Sequence, residues 1–163
     1  MYSNKKLSRQ QKINQLKGNW TVAEIEISYK PIITDHTIIK SSSQAYELIN
    51  SLWNKETINL QEQFAALFFN QSKKMIGWKV ISTGNMTTCI VDIKLLVSLA
   101  LHCMATHVVI VHNHPSGNLK PSESDESITK KIKDALKLID VQLQDHFIIT
   151  ENGYFSFNDE GLL

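Results

Sequence analysis

The sequence contains little cysteine and no long hydrophobic run, and each absence argues against a class of protein. Two of the 163 residues are cysteines. Cys89 and Cys103 stand apart, so the chain has neither a C-x-x-C metal site nor a disulfide framework. No apolar stretch approaches the roughly eighteen residues that a membrane span needs, and the N-terminus lacks the apolar segment of a secretory signal. We therefore expect a cytoplasmic protein with no membrane partner.

Charge is distributed unevenly along the chain, although the formal net charge is only +1. Residues 1–20 hold five basic side chains and no acidic one, whereas the remainder holds 12 basic and 16 acidic groups. We interpret residues 1–20 as a basic, flexible arm. Such an arm can contact DNA through phosphates, but no aromatic stacking pattern accompanies the charge, and a solvated tail is the commoner explanation.

Length and hydrophobicity predict a single domain over residues 21–163. A chain of 163 residues with 42% hydrophobic content can bury a core. Residues 21–29 alternate as an edge strand, which permits homodimer pairing without requiring it. We expect an α/β (α+β) fold in which helices flank a mixed, largely antiparallel sheet. Further strands are predicted at Phe64–Phe69, Met75–Ile81, Thr106–Val111, Phe147–Ile149 and Tyr154–Phe157, and helices after the N-caps Ser41–Ser43 and Asp92 and over Pro121–Ile139.

A histidine pair at the end of a predicted strand is the most informative feature of the sequence. In a strand, residues two apart point to the same side, so His112 and His114 can present two imidazoles to one point. A Pro-Ser-Gly turn follows, and Ser122 then opens a helix whose first turn contains Asp125. Two imidazoles and one carboxylate leave a zinc ion a fourth position for water. This is the donor set of a catalytic metal site.

Each of these residues also has a simpler interpretation. Ser122 can be an ordinary N-cap, Asp125 can favour the positive end of the helix dipole, and the histidines can be turn residues. Their conjunction at fixed offsets favours the metal site. The tripeptide His-Asn-His also occurs in HNH nucleases, but a strand that enters a Pro-Ser-Gly turn lacks the hairpin and helix of that motif.

The pattern H-x-H-x7-S-x2-D resembles the JAMM metalloprotease signature of the MPN-domain superfamily, and the string from His112 to Asp125 resembles its RadC branch. The similarity extends from about Val22 to the C-terminus. It implies the MPN/JAMM, cytidine-deaminase-like architecture. Deubiquitinating relatives usually have Ser or Thr between the histidines. Asn113 fits the RadC group and weakens any inference that the substrate is ubiquitin-like.

The resemblance also implies the site residues and their roles. It assigns one Zn²⁺ per chain to His112, His114 and Asp125. The family's proton-carrying Glu lies directly ahead of the first core strand, which matches Glu62, with Glu56 as the alternative. Ser122 would stabilise the oxyanion together with the metal.

Two weaker features of the sequence each have two interpretations. His146, in the Asp145-His146 pair that RadC-like proteins share, either supports the metal site from behind or is a structural histidine. The loop Ser82–Thr88 either lies across the substrate groove or is a plain connection.

The function predicted from the resemblance is a zinc metallohydrolase that cleaves a peptide or isopeptide bond, with a peptide or protein as substrate. The alternative is a DNA-repair or DNA-processing protein of the RadC type. Longer RadC proteins place a helix-hairpin-helix region ahead of the metal domain, and the roughly 60 residues before Glu62 show no such hairpin. This puts direct DNA binding in doubt. A non-catalytic scaffold is the third interpretation, but such MPN domains typically lack the metal residues.

We predict that the full chain binds duplex DNA weakly and with a steep salt dependence, because five basic residues on an arm make few fixed phosphate contacts. Deleting residues 1–20 should abolish this binding without changing metal content. Fluorescence anisotropy of labelled DNA across a salt series measures the affinity of both proteins. Tight binding that survives the deletion would show that the rest of the chain recognises DNA, and would favour the repair function.

Overall fold

The structure is a computed structural model, and it describes residues 38–85 and 90–163. The arm predicted over residues 1–20, the strand predicted over 21–29, the domain boundary between them and the last part of the predicted 82–88 loop lie outside the described residues. No helix in the described ranges has the length and apolar character to cross a membrane. In chain order the elements are α1 (Ser42–Leu52), β1 (Gln63–Phe69), β2 (Met75–Thr83), α2 (Ile93–His102), β3 (His107–Asn113), α3 (Glu123–Lys137), β4 (Gln142–Thr150) and β5 (Gly153–Ser156).

The strands form one five-stranded sheet in the order β2-β1-β3-β4-β5. The pairs β1–β2, β1–β3 and β4–β5 are antiparallel, and β3–β4 is parallel. A parallel neighbour requires a crossover connection, and α3 supplies it between β3 and β4. The predicted mixed, largely antiparallel sheet flanked by helices is therefore confirmed.

The neighbouring inner strands β1 and β3 are buried on both faces. Successive side chains along each strand belong in turn to one of two separate hydrophobic clusters. Phe64 and Ile110 belong to the cluster that α2 and α3 cover with side chains such as Leu96 and Ile132. The alternate side chains of the two strands, which point to the other face, pack with α1, where Ile49 is fully buried. Alternation sends consecutive side chains to opposite faces, so neighbouring polar residues at the end of β3 also point to different sides.

Several elements have bounds that differ from the predicted ones because strand pairing extends them. β3 continues past Val111 through Asn113, since His112 pairs with both Phe64 of β1 and Ile148 of β4. β2 continues to Thr83, which pairs with Gln63. β4 begins at Gln142 rather than at Phe147, because it runs parallel to β3 from His107 onward. Partners distant in the sequence set these bounds, so local periodicity could not predict them.

Candidate metal centre

The structure brings the three predicted metal ligands together at the end of β3. The Nε2 atoms of His112 and His114 lie 2.9 Å apart. Asp125 places Oδ1 3.3 Å from Nε2 of His112 and Oδ2 3.5 Å from Nε2 of His114. Ligand atoms at zinc-bond lengths in a tetrahedron are about 3.4 Å apart. The two distances to Asp125 are close to this value and the distance between the imidazoles is shorter, so the three side chains are near enough together to hold one metal ion.

The start of α3 fixes the position of Asp125. Ser122 is the N-cap, and the two residues form a capping box: the Ser122 hydroxyl accepts from the Asp125 amide at 3.2 Å. The Asp125 Oδ2 accepts from the Ser122 amide at 2.8 Å and from its hydroxyl at 2.6 Å. The capping role and the metal role are thus compatible, because the same bonds that start the helix orient the carboxylate.

The Asp125 carboxylate is ionised at neutral pH. Burial opposes its ionisation, but hydrogen bonds from His112 and His114 outweigh burial and hold the pKa of the Asp125 carboxyl well below its usual range. The site consequently provides a permanent negative charge next to the two imidazoles.

His146 lies directly behind His112, on the side away from the cavity. Its Nε2 is 2.8 Å from Nδ1 of His112, and its Nδ1 is 2.6 Å from the hydroxyl of Thr129. The Thr129 hydroxyl donates its single proton to the carbonyl of Asp125 at 2.5 Å. It must therefore accept from His146, whose Nδ1 carries a proton.

This hydrogen-bond chain determines the tautomer of His112. His146 is fully buried, and burial, with the charge of His112, lowers the pKa of His146 well below its ordinary value, so the ring is neutral. With its proton on Nδ1, His146 accepts at Nε2 from Nδ1–H of His112. The second imidazole is oriented in the same way, because Nδ1–H of His114 donates to the carbonyl of Asn118 at 2.6 Å. In the neutral form of each ring, Nε2 therefore carries a lone pair that faces the centre, and in the protonated form Nε2–H faces the Asp125 carboxylate.

Two nitrogen lone pairs 2.9 Å apart, facing a carboxylate, repel one another unless a cation lies between them. The raised pKa of His114 indicates the same preference for a positive charge. Burial lowers this pKa, but the hydrogen bond with Asp125 and the carbonyl of Asn118 raise it above its ordinary value overall. A proton or a metal ion satisfies the demand. Nitrogen and carboxylate donors with one open position suit Zn²⁺, and also Fe²⁺ or Mn²⁺. The residues present thus fit a divalent metal.

Glu62 is brought to the centre by the pairing of β1 with β3. Phe64 pairs with His112 in an antiparallel register, so Glu62, two residues earlier, lies opposite His114. Glu62 and the three ligands line one cavity of about 610 Å³, and Glu56 does not line it. Burial raises the pKa of the Glu62 carboxyl; His112 and His114 oppose the rise, and Asp125 adds to it. The structure therefore brings Glu62, rather than Glu56, to the metal ligands.

The start of the predicted 82–88 loop contacts Glu62 rather than crossing the described part of the cavity. Its first two residues, Ser82 and Thr83, belong to β2. Gly84 donates its amide to the carbonyl of Glu62 at 2.8 Å, and the amide of Glu62 donates to the carbonyl of Asn85 at 2.9 Å. These two bonds fix the backbone of Glu62.

Apolar side chains also contribute to the lining of the cavity. Phe64, Ile90, Val91 and Ile128 line it together with the polar residues of the centre. Ser122 lines the same cavity. A cavity that combines apolar side chains with convergent polar groups is typical of a binding site for an organic substrate.

Thr129 and Asn113 were not predicted as site residues. Thr129 follows Asp125 by four residues, so helical spacing alone could have placed it on the face of the metal ligand. In the sequence Asn113 is only a marker of the RadC group, yet in the fold its side chain is fully buried and bonds to three backbone groups.

The mixed sheet and the His-His-Asp centre define a metal-site domain of the JAMM type. Comparison with known proteins identifies it further. A model of the RadC-like JAB domain matches residues 39–162. The chain therefore belongs to the RadC-like JAB domain family, as the motif around His112 indicated.

Curated relatives of the chain carry the name UPF0758 protein. The relative from Flavobacterium johnsoniae is 39% identical over 153 residues, which are 92% of this chain and 66% of the relative. The relative from Porphyromonas gingivalis is 40% identical over 104 residues, 63% of this chain and 46% of the relative. That from Aquifex aeolicus is 32% identical over 125 residues, 77% and 52% respectively. The chain thus spans about half to two thirds of the length of these relatives.

We predict that replacing both histidines, His112→Ala with His114→Ala, abolishes the binding of about one divalent metal per chain, because only the Asp125 carboxylate remains. Elemental analysis by plasma mass spectrometry after purification measures the metal. His102→Ala is the matched control, since His102 is exposed on α2, bonds to Ser98 and does not line the cavity of the centre. Equal metal content in the double variant and the wild type would refute the site.

Proposed function

We propose that the chain is a zinc-dependent hydrolase that cleaves a peptide or isopeptide bond with an activated water. The observation that carries the proposal is the position of Glu62. A partly buried carboxyl with a raised pKa shares one cavity with two oriented imidazoles and an ionised carboxylate. Perturbed carboxyls beside a metal donor set are typical of hydrolytic sites.

His112, His114 and Asp125 would hold one zinc ion per chain. A zinc ion bound there would supply Lewis-acid chemistry, which lowers the pKa of water to about 7 and polarises a carbonyl group. His146 and Thr129 contribute by holding the proton of neutral His112 on Nδ1, which leaves Nε2 as the atom that can bind a metal. Partners of this kind fix the orientation of a metal ligand and raise its basicity.

Glu62 carries the proton in this mechanism. It accepts a proton from the attacking water and delivers it to the leaving amine. Both steps need a carboxyl whose pKa lies closer to the working pH than that of an exposed glutamate. The raised pKa of Glu62 meets this requirement.

Ser122 is proposed to donate a hydrogen bond to the oxyanion that develops on the carbonyl oxygen. Its hydroxyl now donates to Asp125 at 2.6 Å, so this role requires the hydroxyl to turn towards the cavity that it already lines. Donors of this type stabilise the transition state more than the ground state. The same hydroxyl thus serves two functions: it orients the metal ligand, and it stabilises the reacting group.

The cavity favours a peptide over DNA as the substrate. Its described lining contains a single lysine, Lys120, and no arginine, beside the apolar residues Ile90, Val91 and Ile128. Tight binding of duplex DNA requires several lysine or arginine contacts to phosphates. A DNA-processing role of the RadC type is therefore the second candidate, and the basic residues before position 20 are its main support.

We expect Glu62→Gln to retain the metal and to lower the rate of hydrolysis by about 10²-fold or more, because the amide keeps the shape but cannot accept the proton. The substrate is first found by incubating the wild-type, zinc-loaded protein with peptide and isopeptide libraries and identifying products by mass spectrometry. Glu56→Gln is the control and should keep full activity, since Glu56 is exposed and outside the cavity. Unchanged turnover in Glu62→Gln would exclude Glu62 as the base.

Ser122→Ala should lower kcat at saturating zinc by roughly 10²-fold, the usual effect of removing one oxyanion donor. It should also weaken zinc binding, because Asp125 loses the hydroxyl that orients it. Ser124→Ala is the control, since Ser124 lines the same cavity without capping the helix. A variant with weaker zinc binding and an unchanged kcat at saturation would limit Ser122 to orienting Asp125.

A further inference from the structure

The residue between the two histidines makes a set of contacts unrelated to metal binding. Asn113 is 0% exposed, and its side-chain amide bonds to backbone groups at the start of β1 and in the segment just before it. Its Nδ2 donates to the carbonyl of Ile58 at 2.6 Å and to that of Gln61 at 2.9 Å. Its Oδ1 accepts from the amide of Gln63 at 2.7 Å. Both N–H groups and the oxygen of the side chain are therefore used.

Strand alternation explains why Asn113 reaches this segment. His112 follows Ile110 on the face covered by α2 and α3, so Asn113 points to the other face, with Val111. Ile58 is buried in the cluster on that second face. Three consecutive residues thus point to two faces of the sheet. The histidines lie at the candidate metal centre, and the asparagine contacts the segment that carries Glu62.

Asn113 holds Glu62 from both sides along the chain. It bonds to Gln61, the residue before Glu62, and to Gln63, the residue after it. The backbone of Glu62 itself is bonded to Gly84 and Asn85 at the end of β2. The main chain at Glu62 consequently has little freedom.

We propose that Asn113 is a positioning residue that sets Glu62 relative to the metal ligands. The proposal rests on the proposed role of Glu62 as the base. One tripeptide at the end of β3 carries both candidate nitrogen ligands and the amide that holds the segment of the base, so a shift of the strand moves ligands and base together. Placement of this accuracy matters because proton transfer requires a heavy-atom distance within hydrogen-bond reach.

The chemistry of the three contacts requires a primary amide. Two carbonyl groups need two donors, and one backbone amide needs an acceptor. Serine and threonine carry a single hydroxyl proton, and an aspartate carries none when ionised. Asparagine is the residue whose side chain satisfies all three partners at this length.

The test uses Asn113→Ser in the zinc-loaded full chain, with two readouts. Hydrogen exchange followed by mass spectrometry reports on residues 58–63 without any substrate. We expect exchange in this segment to rise about tenfold, the effect of losing one net hydrogen bond, while bound zinc stays equal to wild type. Asn70→Ser is the control: Asn70 likewise bonds backbone amides, those of Ser72 and Lys74, but in the β1–β2 turn. It should leave exchange over 58–63 unchanged.

The second readout is a double-mutant cycle on the substrate identified with wild type. Asn113→Ser should lower kcat at least tenfold when Glu62 is present and less than twofold in the Glu62→Gln background, because the base it positions is gone. A general structural role would lower kcat equally in both backgrounds and would overturn the proposal. So would unchanged exchange over residues 58–63. Full activity of Glu62→Gln alone would instead refute the proposed role of Glu62 as the base, independently of the exchange result.

Asn113→Thr is the second variant if Asn113→Ser does not fold, since a β-branched residue suits a strand. Its thermal unfolding is measured beside that of the wild type. It should show the same rise in exchange over 58–63 and the same dependence of kcat on Glu62. A loss of kcat without the rise in exchange would contradict the positioning role.

Discussion

The antiparallel pairing of β1 with β3 is the constraint on which the site depends. Phe64 opposite His112 fixes the register, and the position of the Glu62 segment relative to the histidines follows from it. Glu62 comes to lie opposite His114, and Gln63 comes within reach of Asn113. A slip of one residue would reverse the faces of all these side chains. The buried apolar residues of both strands prevent such a slip, so hydrophobic packing secures the geometry of the polar centre.

The cluster of His112, His114 and Asp125 was predictable because its arrangement is nearly local. Strand alternation aligns His112 with His114, and a helix N-cap at Ser122 returns Asp125 to them across a short turn. The same kind of reasoning predicted the core of each described strand and helix, because alternating or helical periodicity and clear turns mark them. Both inferences need only spacing over a few residues. The family resemblance added the role of Glu62, which spacing alone does not supply.

The rest of the site depends on contacts between distant parts of the chain. The face of His146 depends on a register shift between Val108 and Val109 in the parallel β3–β4 pair, which no periodicity reveals. Its contact with Thr129 depends in turn on how α3 packs on β4. Asn113 bonds to residues 50 to 55 positions away. Such partners become visible only when the strand register is known.

The short distance in sequence between the metal ligands has a consequence for folding. The three ligands lie between residues 112 and 125, so a bound ion closes only a small loop. Restricting a small loop removes little entropy from the unfolded chain. The ion would therefore act on the folded state by neutralising facing lone pairs and an anion. It would behave as a counter-ion for a preformed cluster rather than as a cross-link, and the sheet can form before the metal arrives.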